Sequence, residues 1–195
     1  MFIDFLTLIM INLIAGTVVL AYFLWKGLDE KDQRPYAAAF FAIGLLGVIT
    51  GLRLSFTWPL PGSYNVAFGD TSTLFGFVFL ATSLALWQGW NLIPVSLFAF
   101  FAGAEAVLVG WVIYTQNLTK EPLLSALGFV LAGLGGLGAF PFFIWFRDNK
   151  IVRWIAIIIL AATAILWIVT FYGSLIGHIT SFAKYVPASM AAPAQ

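Results

Sequence analysis

Two ionisable residues, Arg53 and Glu105, stand inside long apolar runs of this sequence, while Asp4 and Asp70 stand at the edges of two others. A charge at membrane depth costs about a few kcal/mol, and such residues usually turn toward a bundle interior and a partner. At 1.5 Å per residue, Arg53 lies roughly 25 Å and Glu105 roughly 20 Å along helices that enter from the same side, so their depths are compatible. An Arg53–Glu105 ion pair is therefore the expected arrangement, with Asp70 and Asp4 as further candidates for the same guanidinium. Plainer readings stand beside it. Arg53 can snorkel to the headgroups, Asp70 can simply cap a helix within Gly69-Asp70-Thr71-Ser72-Thr73, and Glu105 can be protonated or bridged structurally.

These groups centre on the stretch from Gly51 to Asp70, GLRLSFTWPLPGSYNVAFGD, which adds Tyr64 and Asn65. Asn12, Thr50, Thr163, Thr170, Ser174 and His178 fall on the same outer half, and together they outline an outward-facing polar pocket. Interhelical hydrogen bonding is the plainer account of the amide and hydroxyl groups, and a surface position that of His178. The candidate ligand- or ion-binding set is Arg53, Glu105, Asp70, Tyr64, Asn65 and Asn12.

Composition removes many alternatives. The 195 residues are 62% hydrophobic and 9% charged, too apolar to build a water-facing surface. The formal net charge of +1 provides no basic field for nucleic acid. With no cysteine and a single histidine, iron-sulfur clusters, bis-histidine haem and multi-histidine metal sites are excluded within one chain, so no cofactor and no metal are expected. No GxSxG, HExxH or Walker-type loop is present, and Asp70 lacks the second deep aspartate of an intramembrane aspartyl protease. Catalysis by this chain is not expected.

The elements that must position these residues are helices, because a backbone in lipid has to satisfy its own hydrogen bonds and nothing here alternates like a barrel strand. A crossing needs about 20 apolar residues, and six runs supply it: Ile3 to Trp25, Tyr36 to Phe56, Thr71 to Trp87, Leu92 to Tyr114, Leu123 to Phe146 and Ile151 to Tyr172. The fold class is an all-α, six-helix membrane bundle with short loops, one domain over 1–185, followed by a frayed Ala/Pro-rich tail at 186–195. The apolar N-terminal run lacks a basic leader and a cleavage signature and reads as a retained helix. Pro35, Pro122 and the pair Asn91 and Pro94 mark helix starts, and Pro141 marks a bend in the fifth helix. Lys26, Lys31 and Arg34 share a side with Arg147, Lys150 and Arg153, which places both termini outside the cytoplasm and the Trp58 to Asp70 connection with them. Small residues recur at packing spacing in Gly47 and Gly51, in Ala99, Gly103, Ala106 and Gly110, and in Gly128, Ala132 and Gly136. The Gly-rich centres of helices two and five also suggest an inverted three-plus-three repeat.

The loop core FTWPLPGSYNVAFGD, followed by TSTLFGFVFLATSLALWQGWNLIPVSLFAFFAGAEAVLVG, resembles an uncharacterised family of bacterial and archaeal multi-pass membrane proteins, a domain of unknown function. The Gly-rich second helix, the proline-containing loop and the Phe68-Gly69-Asp70 triplet carry the resemblance, which implies a multi-helix fold in a bacterial or archaeal cell membrane and no particular activity. Three functions stay open. The first is a non-catalytic subunit or scaffold of a larger respiratory or envelope complex, built around an outer Arg/Glu/Asp cluster. The others are a small proton- or ion-coupled transporter or channel using Glu105, and an enzyme acting on a lipid or quinone at the outer leaflet. The expected partners are membrane lipid and other membrane subunits or further copies of the chain.

Overall fold

The computed structural model describes residues 4–60 and 62–181. Six helices in it are long and apolar enough to cross a membrane: α1 Phe5–Gly27, α2 Arg34–Thr57, α3 Tyr64–Gln88, α4 Ile93–Thr115, α5 Pro122–Phe146 and α6 Lys150–Thr180. The expected tail at 186–195 lies outside the described residues. Each helix packs on its sequence neighbours and α1 closes on α6, so the six form a ring around a common axis.

Local chemistry sets the helix ends. The Asp4 carboxylate accepts from the Thr7 N–H at 3.2 Å and caps α1, and the Asn149 side chain accepts from the N–H groups of Ile151 and Val152 to cap α6. Prolines occupy the first turns of α2, α4 and α5, where the lost N–H would have no helical acceptor. Each of α1 and α5 ends in a π-helical turn, Phe23–Gly27 and Phe142–Phe146. The second follows Pro141, whose missing N–H interrupts the regular ladder.

Helix α3 starts at Tyr64, a full two turns before the expected Thr71. The connection from α2 is therefore short. Trp58 ends α2 in the left-handed region, at φ 47°, with its N–H donating to the Leu54 carbonyl, and Pro59 prevents the helix from resuming. Asp70 accordingly sits inside α3 and caps nothing, which corrects the capping reading. The apolar count had misplaced the boundary because Tyr64 to Asp70 is too polar to read as membrane span.

Glycine contacts decide which helices lie closest. A Cβ on Gly44 would sit 2.8 Å from the Gly76 carbonyl oxygen, and one on Gly51 would sit 2.7 Å from that of Gly69, so α2 and α3 touch backbone to backbone. Likewise a Cβ on Gly103 would lie 2.5 Å from the Gly133 oxygen, and one on Gly136 would lie 2.8 Å from the Gly103 Cα, locking α4 on α5. Dispersion between closely approaching backbones is what holds apolar helices together in lipid. These tight pairs, α2 with α3 and α4 with α5, do not fit the inverted repeat, which would make α5 and α6 the counterpart of α2 and α3.

At one end of the ring the loop after α1 is tied to the start of α6, where both nitrogens of the Arg153 fork donate to the Asp29 carboxylate, one at 3.0 Å. That guanidinium holds the Asp29 carboxyl below its ordinary range, so the tie persists at neutral pH and is lost as the pH falls through the lowered value. The basic loops assigned to one side from lysine and arginine counts thus do lie together.

The packing makes a sharp contrast between glycines. Gly103→Leu should destabilise the bundle by at least about 1–3 kcal/mol, the usual range for overpacking, whereas Gly173→Ala, at a site where an added Cβ meets nothing within 4 Å, should leave the melting temperature in detergent unchanged. Thermal unfolding followed by tryptophan fluorescence compares the two.

Candidate functional site

Because α3 stands between α2 and α4, the expected Arg53–Glu105 pair does not form. Arg53 is exposed, and among the described residues no salt bridge reaches it. The reason is rotational. Ser55 faces α3 and donates to the Asp70 carboxylate at 2.6 Å, and two residues of helix turn Arg53 about 200° away from that contact. Glu105 is half-buried in the groove between α4 and α3, within electrostatic reach of Asp70, and its Oε2 atom is buried without a hydrogen-bond partner. Asp4 does not wait for the arginine either, since its second oxygen lies 2.6 Å from His178 Nδ1 and joins the start of α1 to the end of α6.

The remaining polar candidates hold the scaffold. Asn65 is fully buried; its side-chain oxygen accepts from the Leu60 N–H at 2.9 Å and its amide donates to the carbonyls of Leu60 and Gly62. Tyr64 donates to the Leu118 carbonyl at 2.5 Å and so tethers the start of α3 to the loop after α4. Asn12 donates to the Ile43 carbonyl at 3.0 Å, tying α1 to α2. Thr163 and Thr170 donate to carbonyls of their own helix and, among the described residues, make no interhelical bond. The six sequence candidates therefore do not converge on one pocket.

A wide polar cleft of about 650 Å³ opens between the loops at the Asp29 end, lined by Glu30, Arg34, Asn91 and Arg147 among others, and two smaller cavities lie on the bundle axis. One cavity of about 80 Å³ is lined by residues of all six helices, among them Thr17, Phe75, Thr82, Ser96 and Gly135. A second, of about 50 Å³, continues toward the Asp70 end and is lined by Asn12, Met10, Thr71, Phe129 and Trp167 among others. Leu13, Phe75, Phe79 and Ala132 line both, which makes them the neck between the two. At roughly 10–15 Å³ of such space per water, each cavity could hold a few waters. Among the described residues no charged side chain lines either cavity, Arg53, Asp70 and Glu105 included.

The polar character of this axis is specific. The hydroxyls of Thr17, Thr71, Thr82 and Ser96, all buried, each donate to a carbonyl of their own helix at 2.6 to 3.0 Å. Their protons are thus committed, and the oxygen lone pairs are what they offer to the cavity. Aromatic rings crowd both ends. Toward the Asp70 end Phe129 packs edge-on against Phe68 and Trp167, with centroids at 5.2 and 5.6 Å; toward the other, Phe40 stacks on Phe79 at 5.5 Å and meets Phe23.

Sequence reasoning missed these lining residues, although a signal was present. Thr71, Phe75, Phe79 and Thr82 recur at intervals of four, four and three along α3, as do Ile9, Leu13, Thr17 and Leu20 along α1. Both are single helical stripes facing the axis. Such stripes look like ordinary core because every member but the threonines is apolar. On α5 the small residues have two jobs: Gly133 and Gly136 meet α4, while Ala132, Gly135 and Ala139 face the axis and leave it open.

Comparison with known proteins agrees with the fold. The chain belongs to a family of proteins of unknown function, DUF981, whose model matches residues 1–181. Among solved structures it is similar to the urea channel from the human gastric pathogen Helicobacter pylori, with a TM-score of 0.63 and 22% identity over 82% of this chain and 93% of that one. No curated protein matches it. The chain is thus a multi-pass, six-helix membrane protein of an uncharacterised family, with the fold of that channel.

If Asn65 is the clasp of the α2–α3 turn, Asn65→Leu, which keeps the volume and removes three hydrogen bonds, should destabilise the protein by about 1–3 kcal/mol through the unsatisfied Leu60 groups. Chemical denaturation in detergent, compared with Asn65→Asp, which preserves the acceptor to Leu60, reads the difference.

Proposed function

We propose that this protein is a membrane channel for small uncharged polar solutes, which pass along the axis of the six-helix ring. The observation that carries this reading is the charge-free seam of two cavities, joined at Leu13, Phe75, Phe79 and Ala132 and lined by residues from every helix. A seam without charges and with only scattered hydroxyl oxygens offers an ion little to offset its lost hydration, whereas a neutral solute has far less hydration to lose. The committed hydroxyls of Thr17, Thr71, Thr82 and Ser96 present acceptors, so the preferred solute is one rich in N–H or O–H donors. Urea and simple amides or polyols have this character, and the fold shared with a urea channel supports the same substrate class.

The ion-coupled form of the transporter reading used Glu105, and that residue lines neither cavity, so it has no part in this mechanism. The subunit and outer-leaflet enzyme readings have no comparable observation behind them. In the conformation described, aromatic rings narrow the path at the neck, through Phe75 and Phe79, and toward the Asp70 end, through Phe129 and Trp167, and rotation of these rings is the motion that would widen it.

Purified protein in liposomes should accelerate osmotic reswelling in urea, acetamide or glycerol over protein-free vesicles, with no conductance to sodium, potassium or chloride. Ala132→Trp, which fills the neck, should reduce the solute rate at least tenfold, and Phe75→Ala should raise it. Reswelling no faster than in empty vesicles, or unchanged by Ala132→Trp, would sink the proposal.

A further inference from the structure

Three charges that find no counter-charge among the described residues point to something outside the chain. Arg53 is exposed on the side of α2 turned away from α3, and Asp70 and Glu105 lie together on the α3–α4 flank. Among the described residues none of the three takes part in a salt bridge, and the buried Oε2 of Glu105 has no hydrogen-bond partner. We propose that copies of this chain assemble side by side into a closed ring in which Arg53 of each copy seats against Asp70 and Glu105 of the next.

Depth makes the contact possible. Ser55 is hydrogen-bonded to Asp70, and Arg53 is only two residues away along α2, about 3 Å of axial rise. The guanidinium of one copy and the carboxylate of a parallel neighbour therefore meet at the same level, within reach of an extended arginine side chain. Glu105 lies deeper on the same flank, where its half-buried carboxyl stands behind Asp70 within electrostatic reach of it. Away from water, two neighbouring carboxylates without a cation are unfavourable, as is a lone guanidinium. Contact between copies relieves both.

The surroundings suit a helix-to-helix interface. Around Arg53, α2 exposes Ile49 and Phe56, at 58% and 78%; α4 exposes Phe101 and Leu108, at 64% and 62%, beside Glu105. The two patches carry opposite charge and different shapes, so each copy must use one patch toward one neighbour and the other toward the next. Such a head-to-tail interface closes into a ring when the rotation allows, and shared orientation in the membrane sets the ring axis along the membrane normal. Every copy would keep its own axial seam, so the assembly stands independently of the channel reading.

The chain has no cysteine, which makes crosslinking clean. A short bifunctional thiol reagent is preferable to direct oxidation, because an arginine–carboxylate pair holds its Cα atoms farther apart than a disulfide tolerates. In native membranes the double variant Arg53→Cys/Asp70→Cys should yield a ladder of covalent oligomers that stops at one ring size, whereas each single variant should remain monomeric. A double variant that stays monomeric, or a single variant that crosslinks to itself, would overturn the proposal. Charge reversal gives an independent reading by native mass spectrometry. Arg53→Asp should dissociate the assembly, and combining it with Asp70→Arg should restore the wild-type size. Since Arg53 is exposed and its side chain makes no hydrogen bond or salt bridge among the described residues, an unchanged size for Arg53→Asp would also count as refutation.

Discussion

Close backbone contact at glycine is the constraint on which this bundle depends. Lipid tails are as apolar as leucine, so helices in a membrane gain little from hiding apolar side chains and much from fitting together. Gly44 and Gly51 against Gly76 and Gly69, and Gly103 against Gly133 and Gly136, bring two pairs of helices to the shortest separation their backbones permit. Once α2 is held on α3 and α4 on α5, the ring order follows, and α3 necessarily separates Arg53 from Glu105.

The same packing creates the axial space. Four of the six helices are committed to two tight seams, and the interior is then filled by what projects inward from all six. On α5 that inward face is alanine and glycine, opposite the larger Leu13, Phe75 and Phe79, so the core stays incompletely filled along its axis. Elsewhere the core is dense: Leu54 and Ala106 are fully inaccessible, and Ile113 is nearly so. The underfilled seam is thus a property of particular positions rather than a loosely packed bundle.

The polar residues divide by what they satisfy. Asn12, Asn65 and Tyr64 bond to backbone carbonyls or N–H groups of other segments and fix how α1, α3 and the connecting loops meet. The lining threonines and Ser96 bond to their own helices and contribute a surface of acceptors. Asp4 and His178 staple the first helix to the last, closing the ring at the Asp70 end, while Asp29 and Arg153 do so at the other. Arg53, Asp70 and Glu105 alone among the candidates are left with electrostatic demands that the single chain does not meet in full.

Much of this was legible without coordinates. Six apolar runs, prolines at helix starts and the small-residue rows determined the class of fold, the number of crossings and which helix faces could approach closely, because hydrogen-bond satisfaction in lipid and the period of a helix leave few alternatives. The boundary at Tyr64 and the lumen stripe Thr71-Phe75-Phe79-Thr82 were written in the chain but hidden, the first by its polarity and the second by its likeness to ordinary core. What only the tertiary structure decided was which charges share a side. Residues two apart on α2 point in nearly opposite directions, and whether either meets Glu105 depends on which helix stands next to α2, a matter of long-range packing that no local spacing records.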